Sequence, residues 1–195
     1  MESPNERPGG RPRTIDPARV SLIALRLFDE RGFDAVSMDE VATAAGVSRR
    51  SLFRLFPNKA ALVWDGLEES FDRFRTSLSA SGDEEPLWEA IRRAFEAGAT
   101  IPAESIEVTR HRLRVIRANP SLEQVGAPTI GMMTDAAARF AAERAGCAPD
   151  DLLTTVRVHA LMAAVNASLA WWALHGGTDA PQSVVRRALR ELAPR

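Results

Sequence analysis

The stretch DERGFDAVSMDEVATAAGVSRRSLFRLFPNKAALV, residues 29–63, decides the fold. Gly32 ends one apolar helical stripe as a left-handed cap. Ser37, with Glu40 three residues on, makes a capping box that opens a second helix, and Gly46 breaks it. Ser48 caps a third, short helix running to about Leu55, and Pro57-Asn58 interrupts before Asn58 caps a fourth. Val41, Ala42 and Ala45 supply the buried face of the second helix; Leu52 and Leu55 or Phe56 supply that of the third. Short helices separated by a tight glycine turn, the last of them cationic, form a helix-turn-helix arrangement.

Outward from that centre the chain reads as helices only. Upstream, Asp16-Pro17 is an N-cap followed by proline at the first helical position, and Val20, Ile23, Ala24, Leu27 and Phe28 recur at helical spacing. Residues 1–14 are rich in Pro, Gly and Arg and are expected to form a disordered tail; Gly10-Arg11-Pro12-Arg13 resembles the core of a minor-groove AT-hook. Downstream, the fourth helix is expected to run unbroken from Lys59 to about Ser79. The polar segment SASGDEEP, residues 79–86, is the clearest break. Helices then follow at about 87–99, 103–118, 129–145, 150–175 and 181–192, with a short turn near 121–125 and a break at Pro128.

Composition narrows the chemistry. The 195 residues carry a formal net charge of −1, so any nucleic-acid surface must be a local patch. Such a patch is visible: from Val41 to Trp64 there is no acid, yet Arg49, Arg50, Arg54 and Lys59 fall inside. Cys147 is the only cysteine, which excludes an internal disulfide and a cysteine metal cluster. No nucleophile-base pair, phosphate loop or metal-ligand spacing is present, so neither an enzyme nor a metal or cofactor site is expected. The polar start lacks a secretory signal's apolar core, and the apolar run at 160–174 falls short of the ~20 residues that span a bilayer, so a cytoplasmic protein without a membrane partner is expected.

The segment Ile15 to Val63 resembles the DNA-binding domain of the TetR family, through Phe28, Gly32, Phe33, Ser37, Val41, Ala42, Ala45, Gly46, Val47, Ser48, Leu52, Phe56, Lys59 and Leu62. The resemblance implies an all-α protein of about nine helices. Residues 15–62 would be the helix-turn-helix DNA-binding domain, and 63–195 a C-terminal domain for ligand binding and dimerisation. It also implies a homodimer on double-stranded operator DNA, most often a repressor released by a small-molecule effector. A ligand-independent architectural DNA-binding protein and a transcriptional activator stay open. In this frame Ser37, Ser48 and Lys59 would hold phosphates, while Arg49, Arg50 and Ser51 would face bases or the groove wall, with Arg54 doing either. Two departures from the family pattern bear on readout. Many members carry tyrosine where this chain has Phe53, which can pack on a sugar or a thymine methyl but donates no hydrogen bond. The family's usual Lys-Gly after the Ser48 position is here Arg49-Arg50, and arginine can fork onto guanine N7 and O6.

In the C-terminal part, Leu153, Val156, Ala160, Ala164, Ala167 and Trp171 follow one line along a helix, while Leu161, Val165, Leu169 and Trp172 follow another. A helix apolar on more than one side is buried on more than one side, here against its own core and against a partner. Trp88, Phe95, Leu113, Met132, Met133, Met162 and Asn166 are the candidate cavity residues, methionine being suited to irregular apolar ligands. A narrower resemblance, carried by VSRRSLFRLFPNKAALVWDGL (47–67) and RHRLRVIRANPSLEQV (110–125), is to the TetR branch that includes the mycofactocin-system regulators. That branch implies an acyl-CoA or another elongated apolar ligand, with Arg110, Arg112, Arg114 and Arg117 available to CoA phosphates on an otherwise solvated face.

Overall fold

The computed structural model describes residues 15–192, apart from the side chain of Thr129. The tail 1–14 and its AT-hook-like run lie outside the described residues. Within them every regular element is a helix: α1 (Pro17–Arg31), α2 (Met38–Ala45), α3 (Arg49–Leu55), α4 (Lys59–Trp64), α5 (Leu67–Ser79), α6 (Leu87–Gly98), a 3-10 turn (Ala103–Ser105), α7 (Ile106–Ala118), α8 (Pro120–Ala145), α9 (Leu152–His175) and α10 (Pro181–Glu191). The fold is all-α, with eleven helical segments in place of about nine.

Local chemistry sets the helix starts. The Asp16 carboxylate accepts from Ala18 N–H at 3.0 Å, Ser48 Oγ from Ser51 N–H at 3.1 Å, and Asn58 Oδ1 from Ala61 N–H at 2.9 Å. Each satisfies a donor that a helix N-terminus leaves free. At α2 the capping box is complete, since Glu40 N–H donates to Ser37 Oγ and Ser37 N–H to Glu40 Oε2. Gly46 then turns the chain at φ +67°, a left-handed value that glycine adopts without a Cβ penalty.

Two expectations fail. The long fourth helix is divided into α4 and α5 by Asp65 and Gly66, the latter at φ +81°. Glycine makes that left-handed step cheap, and the Ser21 hydroxyl donates to Asp65 Oδ2 at 3.1 Å, holding the joint against α1. Conversely, Pro128 does not break α8, which continues from Pro120 to Ala145. Proline removes one helical donor and crowds the carbonyl four residues back. Here both Pro128 and Gln124 are exposed, so water reaches the displaced carbonyl.

The head made by α1–α4 encloses Val20, Ala24, Leu25, Phe28, Val36, Val41, Leu52, Phe56, Leu62 and Val63, and the same cluster takes in Val115 of α7 and Leu122 of α8. A second cluster, with Phe74, Ile91, Phe95, Met133, Val158, Met162, Val165, Val185 and Leu189, fills the space between α5, α6, α8, α9 and α10. At 24 residues, with a mean hydropathy of 1.3 in its most apolar window, α9 is long and apolar enough to cross a bilayer, more than the 160–174 run implies. One side of it packs on α7, α8 and α10. Leu161, Val165 and Trp172 are buried there, whereas Leu153 (67% exposed), Val156 (54%) and Trp171 (45%) point outward.

Candidate nucleic-acid interface and effector cavity

The third helix presents two unlike faces. Leu52 and the following Phe56 are buried against the head, while Leu55 is half-buried. Arg49, Arg50, Phe53 and Arg54 are exposed on the opposite side. This split follows from sequence spacing alone, because positions three and four apart share a helix face.

The expected DNA-contact residues divide into four groups, the last of them Lys59. Ser37 and Ser48 act as caps: the Ser37 hydroxyl also donates to Glu40 Oε2 at 2.9 Å, and the Ser48 hydroxyl to Ser51 Oγ at 2.9 Å. Arg50 and Arg54 project freely, with no side-chain hydrogen bond or ion pair among the described residues. Arg49 is engaged, donating from Nη1 to Asp39 Oδ2 at 2.8 Å with its guanidinium carbon 5.4 Å from the centre of the Phe53 ring. The acid lies on α2, just outside the acid-free window, which is why sequence reading missed it.

Lys59 is already engaged inside the head, with two of the three donors of its ammonium used. It donates to the carbonyls of Phe33 at 2.6 Å and Val36 at 2.9 Å and sits 4.4 Å from the centre of the Phe33 ring. It therefore ties the start of α4 to the α1–α2 connection, and a long flexible cation finds such carbonyls only once the chain is folded. At the start of α2, Glu40 accepts from Arg31 at 2.6 Å. The Ser37 N–H first, then Arg31 and the Ser37 hydroxyl, hold its carboxyl well below the usual value, at about 2.

A cavity of about 300 Å³ opens inside the body. Of the expected lining residues, Phe95, Leu113, Met133, Met162 and Asn166 surround it. Trp88 and Met132 do not. Trp88 lies against the α5–α6–α9 core with Arg157 5.2 Å from its ring centre, and Met132 is half exposed on the outer side of α8. The reason is helical phase: Met133 faces inward, so its neighbour on a helix cannot. Sequence reading missed Trp64, Leu67, Ile130 and Leu169, which also line the cavity. A second lobe of about 220 Å³ adjoins it, sharing Trp64, Leu67, Leu113 and Leu169 and adding Asp65, Glu69, Arg73 and Arg112.

Trp64 is the point where head and cavity meet. It ends α4, donates from its indole to the Leu122 carbonyl at 3.1 Å, and lies flat against Gly126, where a Cβ would come within 2.2 Å of the ring. Most of the arginines of α7 are committed internally. Arg110 donates to the Gly177 carbonyl at 2.7 Å and Arg114 to that of Ala173 at 3.0 Å. Arg112 donates to the Val63 carbonyl at 2.6 Å; burial draws its guanidinium below the usual value, while Asp65 and Glu69 draw it back. Arg117 alone of the four is exposed, at the edge of the main cavity.

An all-helical chain with an arginine-faced helix-turn-helix, joined at Trp64 to a helical body that holds a partly open apolar cavity, has the architecture of a DNA-binding transcriptional regulator. Residues 23–64 match the TetR family of bacterial regulatory proteins, and residues 85–195, more than half of the chain, match the MftR C-terminal domain. The chain belongs to the TetR family of transcriptional regulators, which are not enzymes. A protein of Mycobacterium tuberculosis assigned as the mycofactocin biosynthesis transcriptional regulator MftR is 31% identical over 150 residues, covering 77% of this chain and 76% of that one. The fold is shared with FadR of Thermus thermophilus in complex with lauroyl-CoA, at a TM-score of 0.59 and 20% identity over 91% of this chain and 93% of that one. It is shared too with FadR of Bacillus subtilis in complex with stearoyl-CoA, at a TM-score of 0.67 and 12% identity over 91% and 97%.

Proposed function

We propose that the chain is a cytoplasmic, homodimeric repressor that holds operator DNA through α3 and is released when an elongated apolar effector enters the body. The observation that carries this reading is the position of Trp64, which belongs to the helix leaving the head and also walls the cavity. An occupant that displaces the ring moves the end of α4, and with it the setting of the head.

On this reading Arg49 and Arg50 read base edges, and Arg54 and Ser51 touch the groove wall or the backbone. Ser37 and Ser48 offer their helix-start amides to phosphates, and Phe53 packs on a sugar or thymine methyl. The outward stripe Leu153, Val156, Ala160, Ala167 and Trp171 pairs with its copy across a two-fold axis, which sets two α3 helices about 34 Å apart. The domain division follows function: 15–62 for DNA, 63–195 for ligand and dimer. Acyl-CoA is the effector class that the FadR complexes favour, and the paired lobes, one apolar and one carrying Arg73 and Arg112 beside Asp65 and Glu69, suit a chain with a polar head.

The test uses the full chain. Selection from a randomised duplex library is expected to enrich an inverted repeat with half-sites one turn apart. Lauroyl-CoA and stearoyl-CoA are then expected to release the protein from that duplex and raise its melting temperature, since an effector at 100 times its Kd adds about 2.7 kcal/mol. No enrichment refutes the DNA-reading role; enrichment without any acyl-CoA effect refutes the effector class.

A further inference from the structure

We infer that Asp39 is a positioning residue for base readout: it fixes the Arg49 guanidinium over Phe53, so that Arg49 recognises a guanine with its remaining edge. This rests on the reading of α3 as the DNA-contacting helix.

Two contacts converge on one pose. Arg49 Nη1 donates to Asp39 Oδ2 at 2.8 Å, and the guanidinium lies over the Phe53 ring one turn further along α3. Asp39 stands in the first turn of α2, so its backbone position is set by the helix, and among the described residues its carboxylate has Arg49 as its side-chain partner. Both partners are exposed, 68% for Arg49 and 59% for Asp39, so the ion pair adds little to stability. Its effect is on orientation. An arginine stem otherwise samples many rotamers, whereas a carboxylate at one edge and an aromatic face beneath leave the other edge aimed outward. One of five guanidinium donors is used, and the remainder match guanine O6 and N7.

The acid also carries a cost that reveals its use. A carboxylate at a DNA-facing surface repels every duplex alike. It repays that only where the fixed guanidinium finds the right base, so affinity is exchanged for discrimination. Arg50 and Arg54, free of partners among the described residues, keep their rotamer freedom, Arg50 to adapt to a neighbouring base and Arg54 to the groove wall or the backbone.

The experiment starts from the duplex the wild-type full chain selects from a random library. Dissociation constants for that duplex, for each single-base variant of its half-site and for a scrambled duplex are measured at fixed salt for wild type, Asp39→Ala, Arg49→Ala and the double variant. Arg49→Ala is expected to lose the guanine preference at one position per half-site. Asp39→Ala is expected to lower the preference at that same position by about five-fold or more, while binding to scrambled DNA is unchanged or tighter. In the Arg49→Ala background, Asp39→Ala should have no further effect on base preference. An unaltered preference profile in Asp39→Ala, or an equal change with and without Arg49, overturns the assignment. So does a uniform rise in affinity, which marks Asp39 as a charge only. Failure of the wild type to enrich any duplex removes the underlying DNA-reading role as well, and is recognised before any variant is made.

Discussion

Replacing Gly126 with alanine tests whether the close approach of α8 to Trp64 is a built contact. The added Cβ would fall 2.2, 2.3 and 2.6 Å from three atoms of the indole ring. Carbon atoms rest about 3.5 Å apart or more, so the ring must retreat by more than about 1 Å. Overpacking of this kind costs about 1–3 kcal/mol, and the indole bond to the Leu122 carbonyl, worth about 1 kcal/mol, is stretched or lost. Against this, alanine gains up to ~1 kcal/mol over glycine inside a helix. The net destabilisation is about 2 kcal/mol, which in a chain of this length lowers the melting temperature by ~4–8 °C. Calorimetry on the single variants and on Trp64→Leu/Gly126→Ala checks it. Once the ring is gone, the alanine should keep its propensity gain of up to ~1 kcal/mol unopposed, giving a coupling of about 3 kcal/mol across the cycle. A Gly126→Ala protein that melts at or above the wild-type temperature refutes the reasoning, because the propensity gain would then be unopposed.

Two further perturbations probe the head and the outward face. Glu40 has a carboxyl lowered from 4.5 to about 2 in the folded state, so its stabilisation is complete above about pH 4.5 and is lost as pH falls towards about 2. The stability gap between wild type and Glu40→Gln, followed by circular dichroism, should therefore narrow across that interval; a constant gap contradicts the capping-box assignment. Val156→Asp places a charge on an exposed stripe of α9 without touching the core. Sedimentation should show a monomer with wild-type helicity and no operator binding, and a persistent dimer would move the interface elsewhere.

What the sequence revealed and what it concealed divide along a physical line. Signals that act within one turn of helix were legible: the Ser37–Glu40 box, the Gly46 turn, the Ser48 and Asn58 caps, and the inward Leu52 with outward arginines. The two phases of α9 were readable as well, because burial leaves a 3.6-residue imprint. Features that depend on what the rest of the chain brings alongside were not. Lys59 reads as a free cation until folding brings the Phe33 and Val36 carbonyls to it. Arg49 reads as unopposed because its acid is on another helix. Trp88 and Met132 look like cavity residues by type, but helix phase and neighbouring elements assign them other surroundings. The break at Asp65-Gly66 has little local signature, since an isolated glycine is tolerated within a helix, and the exposed Pro128 shows the converse.

The use of α9 on two sides carries a consequence for how such a chain can diverge. Met162, Val165 and Asn166 look into the cavity, while Val156, Ala160 and Ala167 look away from the protomer. With scarcely a spare side, this helix leaves little scope for substitution without consequence, and a residue exchanged to admit a new compound risks shifting the surface a turn away. Novelty in an occupant of the cavity should therefore accumulate on α5 and α8, whose outer sides are exposed, and α9 should be the most slowly changing wall of the chamber.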